Sequence, residues 1–190
     1  MRIRKSGKVI ISALLTLMLL LQFLPLQVLA QKETEKELTV AVISDIHVIP
    51  PSMWADNPDS AAAVSADRKM FAESAAILDA AIADIIREAP DVVLVSGDLT
   101  KDGEYESHVY LAEKLSEMKT ALPGTSVYVI NGNHDINNPH AYDYSSGSGV
   151  PTHSATPEEF KEIYEGLGFG TDTAMPCSWS GTALPGIRRA

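Results

Sequence analysis

One cysteine, Cys177, stands in 190 residues. That excludes an intrachain disulfide and any zinc cluster built on several thiolates. Cohesion must come from an apolar core or from a metal held by other ligands. Positive charge is also scarce, with 15 Lys and Arg against 25 Asp and Glu. A field of that sign repels polyanions, so no nucleic-acid partner is expected. Long apolar runs are missing too. Val9 to Leu21 falls short of the ~20 residues that a spanning helix needs, and Gln22, Pro25 and Gln27 break the stretch immediately after it.

What is present at the start is a processing signal. Arg2, Arg4, Lys5 and Lys8 form a basic leader before the apolar stretch, and Val28-Leu29-Ala30 places small residues at a cleavage site before Gln31. Residues 1–30 read as a cleaved export signal. The alternative is an uncleaved anchor through residues 9–29. An exported, secreted or cell-surface protein is expected, with no stable membrane span after cleavage. Without residues 1–30 the chain has 11 basic and 25 acidic residues, a net charge of −14. Residues 31–37 are charged and read as a linker.

Apolar periodicity then alternates. Leu38 to Ile43, Asp91 to Ser96 and Ser126 to Ile130 are short runs rich in β-branched residues, and read as buried strands. The middle run is apolar without interruption, as expected of a strand covered on both faces. Between them, Ser65 to Glu88 and Glu104 to Leu122 carry helical stripes, ended by Pro90 and Pro123-Gly124. In the first, the stripe is Met70, Phe71, Ile77, Leu78, Ala81, Ile82 and Ile85. Strand–helix–strand–helix–strand predicts an α/β fold with a parallel βαβαβ core. Pro50 to Ala66, with Trp54, reads as a loop bordering any pocket. Thr156-Pro157-Glu158-Glu159 is a capping box opening a short helix to about Leu167. Residues 176–190 show no pattern.

All three strands end in polar residues that can ligate metal: Asp45-Ile46-His47, Gly97-Asp98 and Gly132-Asn133-His134-Asp135. Each alone is ordinary, since Asp and Asn-Gly end strands as turn formers. Three in order, each closing an apolar strand, are another matter. The carboxyl ends of parallel strands share one edge, where ligands bind. Carboxylates, imidazole and an amide oxygen form a donor set suited to manganese, iron or zinc.

Ser44-Asp45-Ile46-His47, Gly97-Asp98-Leu99-Thr100 and Asn131-Gly132-Asn133-His134-Asp135 together resemble the first three signature motifs of the calcineurin-like metallophosphoesterases. Gly97 to Glu104 (GDLTKDGE) is most similar to the branch that includes cyclic-nucleotide phosphodiesterases. The resemblance covers about residues 38–136, within a domain placed at 38–175. It implies the N-terminal portion of an αββα sandwich and hydrolysis of a small phosphoester at two divalent metal ions. It implies Asp45 and His47 on the first metal, Asp98 bridging both, and Asn133 on the second. His134 would protonate the leaving oxygen, with Asp135 orienting its ring.

Later histidine ligands of that family, including a Gly-His-x-His, have no counterpart among His108, His140 and His153. His108 shares a helical stripe with Leu111 and Leu115 and reads as a packed residue. His140 and His153 read as exposed loop residues. The expectation is therefore the front part of a longer enzyme, cut short or shifted in frame near residue 175. Such a chain would be weakly active or inactive, and poorly soluble through an uncovered sheet face. A non-catalytic exported module that binds a metal or a phosphorylated ligand is the alternative.

Overall fold

The computed structural model describes residues 37–169, together with residues 16 and 18. Most of residues 1–30, read as an export signal, most of the linker and the patternless tail lie outside the described residues. Among those described, no helix is long and apolar enough to cross a membrane.

Three parallel strands form the centre: β1 (Val40–Ser44), β2 (Val92–Ser96) and β3 (Ser126–Ile130), hydrogen-bonded in the order β1-β2-β3. The register pairs Ser44 with Ser96 and Ser96 with Ile130, so the three strands end level. This alignment puts the polar residues after each strand side by side. Among the described residues, four α-helices accompany the sheet: α1 (Pro58–Ala63), α2 (Ser74–Glu88), α3 (Tyr105–Ala121) and α4 (Pro157–Ile163). A two-stranded antiparallel ribbon, β4 (Tyr142–Asp143) with β5 (Val150–Pro151), lies in the region read as loop.

The core forms on one sheet face. Val93, Val95, Val127 and Val129 share a buried cluster with Leu78 and Ile82 of α2, Leu111, Leu115 and Met118 of α3, and Phe160 of α4. The opposite face differs from the expectation for β2. Val42 is 65% exposed, Leu94 38% and Ile130 59%. An uninterrupted apolar run allows burial on both sides without requiring it. Among the described residues, only the helix-bearing side is covered. The expected second sheet of the sandwich is not among them.

The helix read from Ser65 also needs correction, because α2 begins at Ser74. Residues 64–73 are turns, and Asn57-Pro58 opens a separate short helix. The Asn57 side chain accepts from the Asp59 and Ser60 N–H groups, and Pro58 sits at the first helical position. Phe71 is diverted into a second cluster with Ile49, Met53 and Tyr144. Ser74 Oγ fixes that turn by donating to Phe71 O at 2.8 Å and accepting from Ile49 N at 3.0 Å. Met70 and Phe71 therefore do not continue the stripe of Leu78 and Ile82. The Thr156–Glu159 capping box is present in both of its hydrogen bonds.

Candidate metal centre

Three connections leave the sheet at one edge. Past the strands, pairing continues for a few residues through Asp45 N to Gly97 O (3.2 Å), His47 N to Asp98 O (3.0 Å) and Gly97 N to Ile130 O (3.0 Å). The chain must then turn sharply, and it does so at the candidate ligand positions. Asp45, His47 and Asp98 all have positive φ, at 54°, 46° and 47°. Left-handed backbone is uncommon for residues with a Cβ and is found at sites that need a side chain aimed. Gly132 permits the tightest approach, since a Cβ there would lie 2.2 Å from Asp98 Oδ1 and 2.3 Å from Asp98 N.

The result is a cluster of Asp45, His47 and Asp98 whose ligand atoms all lie within 4.8 Å of one another. Metal–oxygen and metal–nitrogen bonds of about 2.0–2.2 Å require donors within roughly 4.4 Å of each other, close to this spacing. His47 Nε2 stands 3.8 Å from Asp98 Oδ2. Its Nδ1–H donates to Thr100 O at 3.2 Å, which leaves a lone pair on Nε2. Burial, aided by the Lys69 ammonium, lowers the His47 pKa below its ordinary value and favours the neutral, ligating form. Two carboxylates and one neutral imidazole fit a divalent cation.

The third loop sits against this cluster. The His134 N–H donates to Asp98 Oδ1 at 3.2 Å, and the His134 ring meets the His47 ring edge to face at 5.2 Å. Asn133 lies between Gly132 and His134, at the head of this loop. Asp135 is not where the sequence suggested. Its carboxylate turns inward and accepts from Leu99 N (2.8 Å), Thr100 N (3.0 Å) and Thr100 Oγ1 (3.4 Å) through Oδ1, and from Gly132 N (2.6 Å) through Oδ2. It ties the second and third loops together and does not touch the His134 ring.

Asp102 takes that place. Its Oδ1 accepts from His134 Nδ1 at 2.9 Å and from Asn138 Nδ2 at 3.2 Å, while Oδ2 meets the Lys101 ammonium. Burial alone would raise the Asp102 pKa, but Lys101 and His134 outweigh it and hold the carboxyl below its usual range. Lys101 is itself buried, 5.5 Å from the Phe71 ring centre and 5.7 Å from that of Tyr144. Asp102, Lys101 and Asn138 escape sequence reasoning because Lys-Asp-Gly and Asn-Asn-Pro read as plain turns. The one cue to Asp102 is a second carboxylate four residues after Asp98.

His108 is fully buried, as its stripe position predicts. Its Nε2–H donates to Asp135 O at 2.8 Å, and Nδ1 accepts from Tyr164 OH at 2.9 Å. Burial lowers its pKa. It props the third loop from beneath. His140 is exposed, and the exposed His153 pairs with Glu159 at 2.9 Å. None of the three belongs to the Asp45–His47–Asp98 cluster.

Residues 38–177 match the model of the calcineurin-like phosphoesterases, and the chain belongs to that family. Among curated proteins, none matches the chain.

Proposed function

We propose that this calcineurin-like phosphoesterase hydrolyses a small phosphoester at a centre of two divalent ions. The cluster of Asp45, His47 and Asp98, with every ligand atom within 4.8 Å of the others, is the observation that carries this reading. The family is typically hydrolytic and usually binds divalent metals. Asp45 and His47 would hold a first ion, Asp98 would serve both, and Asn133 would offer its amide oxygen to the second. Such ions supply Lewis acidity and an acidified water.

The protein's own groups do the rest. His134 keeps its Nδ1–H on Asp102, so Nε2 is the nitrogen that exchanges protons with substrate. A protonated His134 gives its Nε2 proton to the departing oxygen, and Asp102 stabilises the charged ring before transfer. Lys101 and Asn138 fix Asp102, and Asp135 fixes the loops that carry Asp98 and His134. The similarity of GDLTKDGE to the cyclic-nucleotide phosphodiesterase branch supports a diester substrate. The basic leader and apolar stretch of residues 1–30 support export.

A second reading keeps the metal and drops the turnover. None of His108, His140 and His153 joins the cluster, so the described residues hold fewer strong ligands than a two-ion site uses. Calorimetric titration with Mn²⁺, paired with hydrolysis of bis(p-nitrophenyl) phosphate, separates the two. The phosphoesterase reading predicts tight binding and Mn²⁺-dependent turnover, both lost in Asp98→Asn. Binding without turnover selects the second reading. Binding unchanged by Asp98→Asn sinks both.

A further inference from the structure

A cleft of about 330 Å³ opens beside His134, lined among others by Lys69, Lys101, Asp102, Tyr142 and Tyr144. With His134 as the proposed acid lining it, this cleft would receive the departing part of the substrate. Two ammonium groups enter this cleft, and they are not equivalent. Lys101 is buried and neutralised by Asp102, with Asp67 at 4.0 Å. Lys69 is exposed and makes no ion pair among the described residues. Its Nζ lies 3.3 Å from His47 Nδ1, but that nitrogen gives its proton to Thr100 O and has no lone pair to offer. The Lys69 ammonium thus brings three N–H donors to the cleft, and no carboxylate among the described residues neutralises it.

We propose that Lys69 is a specificity-determining residue that binds an anionic group carried on the leaving portion of the substrate. The substrate class is therefore a phosphoester whose alcohol or phenol bears a second acidic group, such as a carboxylate or a further phosphate. Charge supports this. The chain is strongly acidic overall, so a cation left unpaired beside the site is the local feature that distinguishes an anionic leaving group from a neutral one. The half-buried Tyr142 and buried Tyr144 give the cleft ring surface for the remainder of that group.

This inference rests on the phosphoesterase reading, and the test separates the two. Binding of methyl phenyl phosphate and of methyl 4-carboxyphenyl phosphate to the Mn²⁺-loaded chain is measured by calorimetry. The carboxylated ester should bind about fivefold more tightly, the upper range of a solvent-accessible charge pair. Measured with every chain saturated in Mn²⁺, Lys69→Met should bring the ratio of the two affinities to one, and Lys69→Arg should restore it. If the ratio survives Lys69→Met, or the unmodified chain shows none, the role of Lys69 is wrong while the metal site stands. If neither ester binds in a manner dependent on Mn²⁺ and Asp98, the phosphoesterase reading fails and the inference fails with it.

Discussion

Glu104 gives the sharpest quantitative test of how this chain is built. It precedes α3 and is only 1% exposed. One carboxyl oxygen accepts from Asp102 N at 3.0 Å, while Oε1 has no partner. Burial is the leading cause that raises its pKa from 4.5 to about 7. The folded state therefore holds this proton more tightly than the unfolded chain does. Between about pH 4.5 and 7 the unfolded chain has released it and the folded chain has not, so stability falls as pH rises. The difference is worth about 3 kcal/mol, fully lost above pH 7.

Glu104→Gln removes the titration and keeps the shape. Its amide oxygen can still accept from Asp102 N. Its NH₂ group is left buried without a partner, at a cost of about 1–3 kcal/mol that does not depend on pH. The change with pH is therefore the clean readout. Urea unfolding of both chains at pH 5 and pH 8 should show the variant gaining about 3 kcal/mol relative to the parent between those values. In a thermal scan this corresponds to about 6–12 °C. Buried His108 titrates with the opposite sign, because its lowered pKa makes stability rise with pH, but it is common to both chains and cancels. A difference that stays flat from pH 5 to pH 8 refutes the reasoning.

Two further substitutions probe the scaffold. Gly132→Ala places a Cβ against Asp98 backbone and carboxylate, and should cost about 1–3 kcal/mol in urea unfolding. The same variant should weaken Mn²⁺ binding by about 10-fold or more in calorimetry, because the displaced group is a proposed ligand. Thr156→Ala removes one half of the capping box on α4 and should cost about 1 kcal/mol, with Mn²⁺ affinity unchanged.

The strands and the juxtaposition of Asp45, His47 and Asp98 were legible because their signals are local and repeated. Each of β1, β2 and β3 is a short β-branched run, and each hands over to ligand-type residues within a few positions. The register that aligns Ser44, Ser96 and Ile130 follows from parallel pairing. What the sequence hid was side-chain direction. Asp135 follows His134 directly, and adjacency suggested contact. The turn instead sends the carboxylate under the loop, to N–H groups that would otherwise be buried and unpaired. Asp102, 32 positions before His134, reaches the ring. The start of α2 was hidden for a related reason. Met70 and Phe71 match a helical period, but Phe71 gains more by joining Met53 and Tyr144. Periodicity reports which residues can be buried and does not say against what.

The backbone of the site carries a cost that the rest of the molecule must meet. Among the described residues, Asp45, His47 and Asp98 are three of the five non-glycine positions with positive φ. Each such position costs about 1–3 kcal/mol unless its surroundings hold it. Asp135 is the chief restraint, with four donors converging on one buried carboxylate from the loops after β2 and β3. His108 holds the Asp135 carbonyl from α3, and Tyr164 holds His108. This chain of contacts runs from the core to the candidate ligands through protein groups. Preorganisation of this kind is what a binding site needs from its supporting residues. The same arrangement also separates neighbours in sequence by surroundings: the His134 ring meets Asp102 and His47, whereas the Asp135 carboxylate is buried on N–H groups of the loops that carry Asp98 and His134.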